Sequence, residues 1–319
     1  MLGIEIGNFN TKLVVGDKKN KFFGKKLMVK TPSNVVINGK IIDVNTLSEV
    51  IRETLKKNDI KEKKVCFAIS SPSNIIRDLK FPQMKEEEVK NALSYEIEQY
   101  IPDPENYVVD YKYLGNALED DKSIRVMIAA SPKEITEKYV KLADILKLRL
   151  EAIDIYSNCI YKAYKRTNLD AGIVAIVDIG SNLTDVTIID NGIYIFSRTM
   201  EFGGNEITQT IANAFNVDFE MAEEYKRTKN LIGEESYKEA EENIVLFLSD
   251  MFQQIGRIFD FYYATYHKSI QKILMIGGTS RLLGLKEYVE SHFRIPVLVP
   301  EEEDYIYFLP AYGCLLRGE

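Results

Sequence analysis

One feature constrains this chain more than any other: a stretch of it occurs twice. The run Gly3-Ile4-Glu5-Ile6-Gly7-Asn8-Phe9-Asn10-Thr11-Lys12-Leu13-Val14-Val15 returns within Ala175-Ile176-Val177-Asp178-Ile179-Gly180-Ser181-Asn182-Leu183-Thr184-Asp185-Val186-Thr187. Glu5, Gly7 and Thr11 keep step with Asp178, Gly180 and Thr184, with no gap between them. Each copy reads as an apolar strand ending in an acid, a glycine turn of small polar residues, and a second strand returning beside the first. A third strand candidate follows in both, Lys21 to Val29 and Ile193 to Met200, and then a helix. A repeat of this kind predicts two related α/β halves.

The chemistry suggested by the repeat is that of holding a polyphosphate. Glycine and small residues let backbone N–H groups approach phosphate oxygens, and such turned backbones form anion-binding nests. Gly7, Asn8, Gly180, Ser181 and Asn182 supply those turns, and Thr11, Ser181 and Thr184 add hydroxyl donors. Lys12 supplies positive charge. Glu5 and Asp178 stand where they hold Mg²⁺ through its retained waters or orient an attacking water. Downstream, the buried strand Lys272 to Ile276 runs into Gly277-Gly278-Thr279-Ser280, which reads either as a plain turn or as a seat for a base or α-phosphate. Glu223 and Lys226 share a helix face, and they either hold ribose hydroxyls or form a solvated ion pair. Gly203-Gly204 before Asn205 stays open between a phosphate-facing helix N-terminus and an ordinary helix start.

Periodicity fills in the rest. Val44 to Lys57 and Met84 to Tyr100 read as helices, the second stopping before Pro102. Lys64 to Ser70, Asn74 to Lys80, Tyr107 to Leu114 and Ser123 to Ala130 read as strands, and Ser131 is expected to cap a helix running to Leu148. Further helices are expected at Asn205 to Phe215, Phe219 to Lys229 and Tyr237 to His267. The tyrosines at 95, 100, 107, 111 and 113 read as core filling rather than as a binding surface. A net charge of -7 argues against nucleic acid as a partner. The three cysteines, Cys66, Cys159 and Cys314, lie far apart in apolar runs and read as reduced buried thiols. Two histidines without neighbouring ligands make zinc chemistry improbable. No apolar run is long enough to span a bilayer, and the start lacks the pattern of a signal peptide.

The order of parts resembles the superfamily of actin, sugar kinases and chaperone ATPases: phosphate hairpin, inserted module, second phosphate hairpin, Glu and Lys helix, then strand and Gly-Gly. Four segments resemble the PilM family of type IV pilus assembly proteins. They are Leu2 to Gly7 with Lys12-Leu13-Val14, then Arg77 to Pro82, Tyr95 to Pro102, and Ala311 to Cys314. The resemblance implies an α/β, actin-like (duplicated ribonuclease-H-like) two-lobe ATPase fold with a small α+β subdomain in the first lobe. The expected divisions are 1–63 with 150–170 for the first lobe, 64–149 for the insert, and 171–319 for the second lobe, helical from about 204 to 270.

It also implies ATP or ADP with Mg²⁺ as cofactor, held by Gly7, Asn8, Thr11 and Lys12, by Gly180, Ser181, Asn182 and Thr184, by Glu223 and Lys226, and by Gly277, Gly278 and Ser280. A groove beside the insert is expected to take the N-terminal cytoplasmic peptide of a PilN-like membrane protein, linking that complex to the assembly ATPases and the platform protein. The expected place is then the cytoplasm, at the inner face of the membrane through partners, without insertion. Glu5 stands where efficient ATPases of the superfamily carry Asp, so at most slow hydrolysis is expected. Two other readings remain: a polymerising division protein like FtsA, whose terminal membrane helix this chain has no room for, and a sugar-kinase-type phosphotransferase, whose substrate base has no counterpart motif here.

Overall fold

A computed structural model describes residues 1–16, 24–116, 122–167, 172–232 and 238–316. The expected strand start at Lys21 and helix start at Tyr237 lie outside the described residues. Two five-stranded sheets dominate. The first holds β1 (Leu2–Ile6), β2 (Asn10–Val15), β3 (Lys26–Lys30), β6 (Lys64–Ile69) and β10 (Arg149–Ile155) in the order β10-β6-β1-β2-β3. The second holds β11 (Ile173–Ile179), β12 (Thr184–Asp190), β13 (Ile193–Met200), β14 (Lys272–Ile276) and β15 (Val297–Leu298) in the order β13-β12-β11-β14-β15.

The two orders are the same, strand for strand. In each sheet three antiparallel strands are extended by two parallel ones. β1 and β11 are buried along their whole length because both faces of each sheet are covered, which is why they read as continuous apolar runs rather than as alternating strands.

On the outer face of the first sheet lie α1 (Val44–Lys57) and α3 (Lys133–Leu146). Asp43 caps α1 by accepting the Asn45 and Thr46 amides at 3.0 and 3.1 Å, and Leu47 and Ile51 pack with Tyr139 and Leu142 of α3 over Ile4 and Phe67. The outer face of the second sheet is covered by α5 (Gly204–Phe215), α7 (Lys238–Tyr266) and α8 (Leu285–Phe293), with α6 (Phe219–Thr228) packed on α5. Between the sheets run α4 (Tyr156–Tyr164) and α10 (Leu309–Gly313), preceded by the short α9 (Glu303–Tyr307). Their core of Tyr164, Tyr312 and Leu315 joins Val14 of one sheet to Ile176 and Leu274 of the other. The helices approach so closely that a Cβ on Gly313 would lie 1.9 Å from the Cys159 carbonyl oxygen. The three free cysteines are buried beside this crossing.

A third, three-stranded antiparallel sheet, of order β7-β9-β8, is made by β7 (Ile75–Pro82), β8 (Tyr107–Asn116) and β9 (Ser123–Pro132), with α2 (Glu86–Tyr100) packed on it. A two-stranded hairpin, β4 (Val36–Ile37) and β5 (Lys40–Ile41), completes the strands. The insert expected over 64–149 is therefore too wide. β6 hydrogen-bonds in parallel between β1 and β10, and α3 buries its apolar face in the first lobe's core. Tyr100, Tyr107 and Tyr111 pack on the insert's core, Tyr113 is exposed, and Tyr95 lies outside the described side chains. Ser131 does not cap α3: it lies within the last paired residues of β9, its hydroxyl has no partner, and Pro132 stands at the cap position.

Candidate functional site

The repeated hairpins face each other across a cleft of about 380 Å³ between the lobes. Their turns close alike, the Gly7 amide donating to the Asn10 carbonyl at 3.1 Å and the Gly180 amide to the Leu183 carbonyl at 2.9 Å. The amides of Asn8, Phe9, Ser181 and Asn182 meet no backbone acceptor among the described residues, so both turns offer free donors where they line the cleft. Phe9 sits at the mouth between the Lys30 and Arg227 side chains, 5.7 and 5.6 Å from its ring centre.

Glu5 and Asp178 both line this cleft and are both buried. Lys12 Nζ lies 2.6 Å from Glu5 Oε2, a close ion pair in the cleft wall. Asp178 accepts the Tyr156 hydroxyl on Oδ2. Burial pushes the Asp178 carboxyl up to about 6; the Tyr156 hydrogen bond and Lys12 pull it back, and the Glu5 charge adds to the rise. Gly277 holds φ at 84°, and a Cβ there would fall 2.3 Å from Asp178 Oδ1. The Gly-Gly turn thus permits close approach to the second hairpin's acid.

Glu223 and Lys226 meet 2.6 Å apart on the cleft wall. Lys226 also donates to the Gly204 carbonyl and to Thr208 Oγ1, at 3.0 and 2.7 Å. Burial opposes ionisation of both, and pulls Lys226 down; Glu223 nonetheless sits below the usual carboxylate range because Lys226 and the Thr208 hydroxyl favour its charge. Of the two readings for this pair, a solvated surface ion pair is excluded, since both side chains are largely buried.

Twelve of the expected residues line the one cleft: Glu5, Gly7, Asn8, Lys12, Asp178, Gly180, Ser181, Asn182, Glu223, Lys226, Gly277 and Gly278. Five do not, and each is occupied elsewhere. Thr11 is fully buried and shares a hydrogen bond with Thr31, which donates to the Gly7 carbonyl at 2.8 Å. Thr184, equally buried, donates to the Phe202 carbonyl at 3.0 Å. Both threonines thus brace their turns from behind. Ser280 donates back to the Gly277 carbonyl at 2.7 Å. At the start of α5, the Gly203 amide is capped by Glu206, and the Gly204 and Asn205 amides donate to the Gly180 and Ser181 carbonyls at 2.9 and 2.8 Å. The first three amides of this N-terminus are thus spent within the protein, two of them on the hairpin turn.

Three residues missed by sequence reasoning stand in the wall: Ser70, Tyr156 and Asp185. Asp185 Oδ2 accepts the Ser70 hydroxyl at 2.8 Å, and Oδ1 accepts Thr199. Burial pushes its carboxyl up to about 7; the two hydroxyls oppose this and the Asp178 charge adds to it. The signal was in the repeat, because Asp185 sits opposite Asp178 in the ladder just as Lys12 sits opposite Glu5. The same three residues also line a second cavity of about 380 Å³, bounded by the starts of β7 and α4 and the end of β13.

Two lobes of one strand order, with acid-ended hairpins facing a common cleft, define an actin-like ATPase fold. Solved structures carry the same fold. A chain of the PilM-PilN type IV pilus biogenesis complex superimposes with a TM-score of 0.84 at 24% identity, over 99% of this chain and 98% of that one. The ethanolamine utilization protein EutJ of Carboxydothermus hydrogenoformans gives 0.65 at 17% identity, over 99% and 89%. MreB5 of Spiroplasma citri, bound to ADP, gives 0.58 at 13% identity, over 98% and 94%. The cell division protein FtsA of Staphylococcus epidermidis is 21% identical, over 91% of this chain and 71% of its own.

The chain belongs to the PilM family of type IV pilus assembly proteins, whose family model matches residues 3–307. Among the described residues no helix is long and apolar enough to cross a membrane.

Proposed function

We propose that this protein binds Mg·ATP or Mg·ADP between its lobes and uses the bound state to set its grip on a short peptide of a PilN-like membrane protein during pilus assembly. The observation that carries the reading is the pair of matched hairpins facing one cleft with free amides and two buried acids. The residues present suit the ligand. Glu5 and Asp178 bring two buried carboxylates to the cleft wall, a donor set that suits a cation's water shell. Among the described residues no three acids, histidines or cysteines group as a metal cage, so the cation would rest on phosphate and water as well as on Glu5 and Asp178. When bound, the cation offsets phosphate charge and polarises the terminal phosphoryl group.

In this reading the amides of Asn8, Phe9, Ser181 and Asn182 receive the phosphates, Lys12 adds charge, Glu223 and Lys226 meet the ribose, and Gly277-Gly278 leave room for the nucleoside. Pairing of Glu5 with Lys12 leaves no free base at that end, so hydrolysis is slow and the nucleotide serves chiefly as a conformational ligand. The second cavity takes the peptide. Its wall residues Ser70, Tyr156 and Asp185 also face the nucleotide cleft, and Ser70 hydrogen-bonds across the lobes to Asp185, so a change of lobe angle reaches both cavities.

Calorimetry of the N-terminal cytoplasmic peptide of the PilN-like protein from the same genome, with and without Mg·ATP, tests this. Binding that changes by about fivefold or more with nucleotide is expected. No binding in either state would sink it. The likeness to FtsA over most of the chain favours a second reading, a nucleotide-dependent polymer, and sedimentation with Mg·ATP separates the two.

A further inference from the structure

The segment Arg77 to Pro82, singled out in the sequence, is only partly absorbed by the fold. Leu79 and Phe81 enter the insert's core, and Asp78 pairs with the buried Arg125. Arg77 is left over, and it lines the second cavity together with Arg198.

The form of that cavity follows from the two strands beside it. β7 ends one sheet and β13 ends another, so each turns an unpaired backbone edge outward. Arg125, opposite Lys80 in the ladder, reaches across to the Tyr194 and Ile195 carbonyls at 3.2 and 3.3 Å and pins the end of β7 to the start of β13. Away from that pin, the first residues of β7 and the last of β13 border the open cavity. A slot between two free strand edges suits an extended segment, which can pair its main chain with either edge. One buried polar atom in its lining, Asn74 Oδ1, lacks a hydrogen bond. It is a partner in waiting for such a segment.

Arg77 and Arg198 set the charge of the opening. Each spends one N–H on a local carbonyl, Ile76 at 3.1 Å and Ser197 at 2.9 Å. Among the described residues no carboxylate pairs with either. Both residues line the same cavity, and the Arg198 guanidinium lies over the Phe196 ring, 5.6 Å from its centre. Two guanidinium forks without an acid are a receptor for a planar anion.

We propose that Arg77 and Arg198 form an anion clamp at the mouth of the second cavity, and that it holds an Asp or Glu side chain of the extended partner segment seated there. The clamp rests on the peptide-groove reading and adds its specificity determinant: the partner segment carries an acid where it leaves the slot.

The test uses the full chain and the synthetic N-terminal peptide of the PilN-like protein, alongside the same peptide with its acids replaced by Asn and Gln. In low salt, Arg77→Gln with Arg198→Gln is expected to weaken the native peptide roughly tenfold or more, while the acid-free peptide binds both proteins alike. Mg·ATP affinity and the melting temperature serve as controls and stay unchanged, since neither arginine lines the nucleotide cleft. Equal affinity of the native peptide for both proteins overturns the clamp and leaves the groove standing. Failure of the native peptide to bind either protein overturns the groove reading and the clamp with it. Inorganic phosphate is the third arm: if it shifts the Arg77 and Arg198 side-chain resonances while the acid-free and native peptides bind equally, the pair serves a free anion and the proposal is wrong.

Discussion

The two hairpins share a turn and part most sharply at the position opposite the acid. Both turns close through the same amide-to-carbonyl bond, both are braced from behind by a buried threonine, and both end a buried strand in an acid. Opposite Glu5, however, stands Lys12, and opposite Asp178 stands Asp185. The first hairpin is neutralised within itself. The second concentrates two carboxylates, both pushed upward by burial, and spends Asp185 on hydroxyls that border the second cavity. A duplicated fold thus keeps the turn. It diversifies at the position beside it, where one copy supplies a cation and the other a link to a neighbouring site.

The largest expected effect breaks both hairpins at once. Lys12→Ala with Asp178→Ala should weaken Mg·ATP by about a hundredfold or more, measured by calorimetry, since a cation and a buried acid of the cleft are lost together. Unchanged affinity would detach the nucleotide from the hairpins.

A smaller effect isolates the asymmetry. A carboxyl whose folded pKa lies above its unfolded value keeps its proton longer when folded, so stability falls as pH rises between the two values. For Asp185 that window runs from about 4 in the unfolded chain to about 7 in the folded one. Asp185→Asn removes the cost. Urea unfolding without nucleotide should show a gain on the order of 1–2 kcal/mol at pH 8 and none near pH 4. A gain independent of pH would deny that the second hairpin carries a penalised charge.

The smallest effect tests the sameness. Thr11→Val and Thr184→Val should each cost about 1 kcal/mol, because each removes one buried hydrogen bond behind a turn. Costs differing by more than about that amount would show that the two braces are not equivalent.

Much of this architecture was legible in the chain. The repeat announced two matched sheets, and their strands and most helices fell where periodicity put them, because apolar runs bounded by turns leave few alternatives. The acids, the turns and Gly277-Gly278 were legible for the same reason, each being local. What escaped was set by distance. Ser70 and Tyr156 end or begin elements with no motif of their own, and only the parallel ladder of β1, β6 and β10 brings them beside the hairpins. Thr11 and Thr184 look like phosphate donors in sequence, but strand alternation turns them inward, to the back of the turn. The width of the insert was misjudged because β6 is an apolar strand like any other, and nothing within it says which sheet it will join.

The central claim is that both turns hold one ligand, and the backbone amides report on it directly. In an NMR titration with Mg·ADP, the Asn8, Phe9, Ser181 and Asn182 amides should shift together with a single midpoint. Movement of one turn while the other stays still, or two separate midpoints, would contradict a shared grip on one nucleotide.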